Sequence, residues 1–103
     1  MITLGSDVEQ LTVVIPVGAS FITKLTAATP WPNGTIIELH LMNDIADDPV
    51  IWSATISSTD ATFNIPPSQV QTVTDARLSL ARLIYNPGGT GALLWAHGTV
   101  RYV

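Results

Sequence analysis

Apolar and polar residues alternate along most of this chain with a period of two. The clearest run sets Ile37, Leu39 and Leu41 against Glu38, His40 and Met42, the pattern of a β-strand with one buried face. Leu11, Val13 and Ile15 alternate with Thr12 and Val14 and predict a first strand, ended by Pro16 and Gly18. Phe21, Thr23 and Leu25 against Ile22, Lys24 and Thr26 predict a second, and residues 35–42 form the third. Trp52, Ala54 and Ile56 mark the inner face of a fourth strand, and Ala61, Phe63 and Ile65 that of a fifth. Ser57-Ser58-Thr59-Asp60 joins those two as a hairpin. Residues 76–85 predict a sixth strand, with Leu78, Leu80 and Ile84 on one side and Arg77, Ser79 and Ala81 on the other. The seventh covers residues 93–103. Its two faces carry Trp95, His97, Thr99 and Arg101, and Leu94, Ala96, Val100 and Tyr102. Gly98 inside it signals a bulge or a close backbone approach.

The breaks between these runs are as informative. Thr29-Pro30-Trp31-Pro32-Asn33-Gly34 joins two φ-fixing prolines to an Asn-Gly that tolerates positive φ, which predicts a rigid turn. Residues 43–49 form a polar, acidic loop in which Ile45 is the apolar residue expected to tuck under, and residues 86–91 a glycine-rich hairpin loop. Pro66-Pro67 followed by Val70 and Val73 predicts at most one short helical element of one or two turns near residues 67–73. Seven strands at these spacings predict an all-β fold, an antiparallel immunoglobulin-like β-sandwich. Residues 8–103 make its single domain, and residues 1–7 an N-terminal arm ordered only if something holds it.

Composition narrows the function classes. Charged residues are 12% of the 103, about half the usual share of roughly 25%. A surface this poor in charge suits life inside an assembly. Net charge is -4, and the four cations, Lys24, Arg77, Arg82 and Arg101, are scattered. They cannot neutralise a run of phosphates or grip an anionic membrane, so neither nucleic acid nor membrane is an expected partner. Without cysteine there is no disulfide, thiolate nucleophile or Cys-ligated zinc. No secretory signal and no apolar stretch near the roughly 18 residues of a membrane span is present, so the chain is expected to be soluble when made in the cytoplasm.

Candidate chemistry is thin. Asp44, Asp47 and Asp48 share a loop, but their spacing fits no EF-hand and a solvated acidic loop is the expectation. His40 and His97, the two imidazoles, are too few to hold zinc without further ligands. No nucleophile elbow is present, and Gly88-Gly89-Thr90-Gly91 lacks the lysine and helix of a phosphate loop. The chain is therefore expected to be no enzyme and to need no cofactor or metal. Trp52 belongs to the core. Trp31 is either an interface anchor or a plug over the open end of the sandwich. Trp31, Trp95, His97, Arg101 and, in the arm, Leu4 are the candidate interface residues, since Trp and Arg are enriched in interface hot spots.

The order of Val17-Gly18, Ser20-Phe21, Thr29-Pro30-Trp31-Pro32-Asn33-Gly34-Thr35, Trp52-Ser53-Ala54-Thr55-Ile56 and Leu94-Trp95-Ala96-His97-Gly98-Thr99-Val100 resembles the LtfC-like β-sandwich virion proteins of actinobacterial tailed phages. The likeness covers roughly residues 8–103. It is also similar in outline to the immunoglobulin-like attachment domains of phage baseplates. Members often carry an acidic residue where this chain has Ser20. The resemblance implies a virion component without catalytic residues, present in many symmetric copies. The leading expectation is a capsid decoration protein that self-associates in symmetric copies and contacts other phage structural proteins, above all the major capsid protein. A minor tail or head–tail connection protein is one alternative, and a carbohydrate-binding module another.

Overall fold

The computed structural model describes residues 9–44, 47–87 and 93–103. Eight strands and one helix follow one another: β1 (Glu9–Ile15), β2 (Phe21–Thr26), β3 (Ile36–Met42), β4 (Val50–Ser53), β5 (Thr55–Ser57), β6 (Asp60–Ile65), α1 (Pro67–Ala76), β7 (Leu80–Asn86) and β8 (Leu93–Tyr102). They form a five-stranded sheet in the order β1-β8-β7-β3-β4 and a three-stranded sheet in the order β2-β6-β5. The β-sandwich expected from the alternation is what the chain builds. Every strand pair is antiparallel except β1 with β8, which run parallel from Glu9 beside Ala96 to Ile15 beside Tyr102.

The alternating residues meet between the sheets. Val13, Ile15, Ile37, Leu39, Leu41, Trp52 and Ala81 from the large sheet pack against Phe21, Ala61, Phe63 and Ile65 from the small one. Phe21 lies at the centre of this layer, its ring 5.2 Å from Trp52 and 6.4 Å from Phe63. The turn before β3 explains the Trp-Pro-Asn-Gly-Thr string. Thr35 donates both its amide (3.2 Å) and its hydroxyl to the Pro32 carbonyl, and Gly34 takes the positive φ of 80° that the turn requires.

Besides the parallel β1–β8 pair, where an antiparallel sandwich was expected, four details depart from the sequence expectation. Residues 50–57 form no single strand. The chain steps from one sheet to the other at Ala54, whose amide donates to the Ile37 carbonyl (2.9 Å), so Trp52 and Ile56 belong to different sheets. The helix spans ten residues, not one or two turns. Pro67 opens it, Val70 and Val73 bury completely, and Gln71 donates to Asp75 one turn on (2.6 Å). Ala76 and Arg77, expected in a strand, are its end, with Arg77 left-handed at φ 52°. Finally, β7 buries the opposite face: Ala81, Leu83 and Tyr85 lie beside Leu41, Leu39 and Ile37, so Leu80 and Ile84 face outward. Ile45, residues 88–91 and the 1–7 arm with Leu4 lie outside the described residues.

The sheets differ in width by two strands, about 10 Å. The one-residue step from β4 to β5 holds them flush on that side. The excess of the large sheet therefore falls on the far side, under β8 and β1. Helix α1 covers one end of this overhang. There the Tyr102 hydroxyl reaches the carbonyls of Leu78 (2.7 Å) and Val73 (3.2 Å).

Candidate functional site

The end of the overhang that α1 does not cover is open. Between β1 and β2 lies a cleft of about 560 Å³, lined mostly by carbon. Leu11, Val13, Leu83 and Ala96 form its floor, Phe21, Thr23, Leu25 and Phe63 its opposite wall, and Trp95 lines it beside Ala96. The uncovered state shows in the burial of its residues. Thr23 faces inward between Phe21 and Leu25 yet is exposed, and Leu11 and Leu25 are half-buried where their neighbours Val13 and Phe21 are buried. Among the described residues no strand pairs with the outer edge of β1 or β2.

Trp95 reaches the inside because of a bulge. In the β7–β8 ladder Leu83 pairs with Ala96 and Ile84 with Leu94, which leaves Trp95 as the extra residue. Its indole packs on Tyr85 (5.3 Å) and edge-on to Trp31 (6.0 Å, 81°), and Trp31 meets Tyr85 at 5.9 Å. Trp31 is half-buried and its amide is fixed to the Ser58 carbonyl (2.9 Å). The indole Nε1 is shielded from solvent and has no hydrogen-bond partner among the described residues. The expectation that Trp95 shares a face with His97, Thr99 and Arg101 is corrected by the bulge, which turns it away from them.

His97 and Arg101 occupy a second surface, the outer face of the large sheet. The ladders align Gln10, His97, Arg82, His40 and Ile51 in one row across all five strands. The Gln10 amide nitrogen lies 3.4 Å from His97 Nε2, and His40 Nε2 lies 3.2 Å from a Glu38 carboxylate oxygen. The two imidazoles sit on strands separated by β7, about 10 Å apart in backbone, with Arg82 in the row between them. Among the described residues no group of three His, Asp or Glu side chains is gathered as for a metal. Ile51 in this row is 48% exposed, and Ile36 and Val14 beyond it are 49% and 43% exposed.

The acidic loop is used locally: the Asp47 carboxylate accepts from the Asp44 amide (3.2 Å) and the Asp47 amide donates to the Asp44 carbonyl (2.9 Å). The structure thus splits the candidate set. Trp31 and Trp95 come together at one end of the cleft, His97 and Arg101 lie on the opposite side of the sheet, and Leu4 lies outside the described residues. Tyr85 and the cleft residues of β2 were not among the sequence candidates, while His40 and Arg82 were noted only as an imidazole and a scattered cation.

Among the described residues no helix is long and apolar enough to cross a membrane. A model of the LtfC-like, beta-sandwich domain family matches residues 7–103. No curated protein matches the chain.

Proposed function

Because the chain belongs to the LtfC-like β-sandwich family, a phage-related structural module, we propose that it is a non-enzymatic virion protein that decorates the capsid shell. The observation that carries this reading is the outer face of the five-stranded sheet, broad and bearing exposed Ile36, Ile51 and Val14 among Glu38, Arg82 and Arg101. In solution such a face is a liability; against a shell subunit it is a contact. Each copy contributes a modest patch, and symmetry repeats the patch over the particle. Binding to the assembled shell, and not to free subunits, stabilises the shell by mass action. The major capsid protein is the partner this reading requires.

Cryo-electron microscopy of intact particles tests the assignment. Density for this fold repeated over the icosahedral shell is the expected result, with the five-stranded face toward the capsid. Density confined to the tail or the portal vertex overturns decoration and makes the chain a tail or head–tail connection protein.

A further inference from the structure

We propose that the cleft between β1 and β2 receives the amino-terminal segment of a second copy of this chain, which adds a fourth strand to the small sheet. This deepens the reading of the chain as a repeated structural subunit. Its test uses the purified chain alone, so its failure would leave that reading standing.

Three observations fit an extended segment better than a compact ligand. The cleft exists because the small sheet is two strands narrower than the large one, so the shape that fills it is a strand. Its wall is the outer edge of β2, where a strand finds main-chain groups to pair with while its alternate side chains face the apolar floor. Inward-facing Thr23 is exposed at the middle of that wall, where an added strand would cover it.

The occupant is indicated by what precedes β1. Eight residues lie before Glu9, and Ile2 and Leu4 among them are two apart, on one side of an extended chain, with Thr3 between them and Gly5 and Ser6 following. Two aliphatic side chains pointing one way are what the floor formed by Leu11, Val13 and Leu83 accepts. The Trp95 indole leans over β7 onto Tyr85 and Trp31 and leaves the mouth between β1 and β2 open to a neighbour's segment. Such a contact is head-to-tail, and it generates rings or open arrays according to its rotation.

Sedimentation equilibrium of the 103-residue chain is the test, with two variants. The arm variant carries Ile2→Asp and Leu4→Asp; the cleft variant carries Thr23→Arg, at an exposed position whose change leaves the fold intact. The wild-type chain is expected to show a mass that rises with concentration. Each variant alone should associate on the order of 100-fold more weakly or worse, because two aliphatic contacts are lost or a charge fills the cleft. Mixed one to one, the variants should recover dimers and nothing larger, because only the cleft variant's arm can enter the arm variant's cleft. A wild-type chain that stays monomeric overturns the inference, as does association that Thr23→Arg leaves unchanged or variants that fail to complement. Circular dichroism of both variants confirms that the fold is kept.

Discussion

Gly98 is the position where a single methyl group should cost most. It sits in the middle of β8, paired with Leu11 on one side and Ala81 on the other. A Cβ built there runs into the Leu11 carbonyl, which is backbone and cannot swing aside as a side chain could. Strand β1 would have to move away from β8, and Val13 and Ile15, which it carries into the core, would move with it. Overpacking of a core costs about 1–3 kcal/mol, and a clash with backbone belongs at the upper end. The small gain in strand propensity of Ala over Gly does not offset it, being about 0.5–1 kcal/mol. A loss of about 2–3 kcal/mol lowers Tm by roughly 10–20 °C in a domain of this size. Thermal denaturation of Gly98→Ala measures this. Gly18→Ala is the control: Gly18 has φ 79° but open space around its Cβ position, so only left-handed strain, about 1–2 kcal/mol, should appear. A Gly98→Ala protein that melts within about 3 °C of wild type, a shift of under about 1 kcal/mol, would refute the close approach of β1 to β8.

Other outcomes follow from the same packing. Val73→Ala, at a fully buried helix position, should cost about 2–3 kcal/mol in urea unfolding, from two lost methyl groups and the cavity they leave. Trp31→Phe should be milder than Trp31→Ala by calorimetry, because it keeps the ring against Tyr85 and Trp95 and removes the unpartnered indole N–H. Burial raises the Tyr102 phenol above its ordinary value of 10.0. The unfolded chain therefore ionises first, so this contribution is full below about pH 10 and is lost as pH rises through the raised folded value. Denaturation measured across that range should show the alkaline loss in wild type and a smaller one in Tyr102→Phe. Ile51→Lys, at an exposed site on the outer sheet face, should leave the melting curve unchanged and reduce incorporation into particles.

The strands were legible where one face is apolar and the other is not. Ile37, Leu39 and Leu41 settle the face of β3, and Ala61, Phe63 and Ile65 that of β6, because a one-residue slip would expose all three. Strand β7 carries Leu80 and Ile84 outward and Ala81, Leu83 and Tyr85 inward, so hydrophobicity alone cannot say which side meets the core. Only pairing with β3 and β8 decides it. The sheet switch at Ala54 was hidden for a related reason. Trp52, Ala54 and Ile56 keep the period of two straight through the crossing, since both halves face the same core from opposite sheets. The bulge at Trp95 breaks the period by one residue, and a sequence shows no mark of that beyond the neighbouring Gly98.

These hidden features produce the surfaces that carry the functional argument. Had residues 50–57 run as one strand in one sheet, nothing would fix the two sheets flush at β4 and β5. The step at Ala54 does so, and with three strands facing five it forces the whole mismatch to the β1 side. Helix α1 then covers the Ile15–Tyr102 end of the overhang, because Val70 and Val73 must be buried and Tyr102 finds its carbonyl partners there. What is left uncovered is the stretch along Leu11, Thr23 and Leu25, which line the cleft with Trp95. The outer apolar face has the same origin, since β7 directs Leu80 and Ile84 outward only because Ala81 and Leu83 satisfy the core. Under the proposed decoration and the proposed arm exchange, the two surfaces on opposite sides of one sheet, its outer face and the edge cleft, would let a single copy contact a shell and a neighbour together. Substitutions on the two should therefore combine additively in binding, because the β-sheet between them leaves them no shared partner.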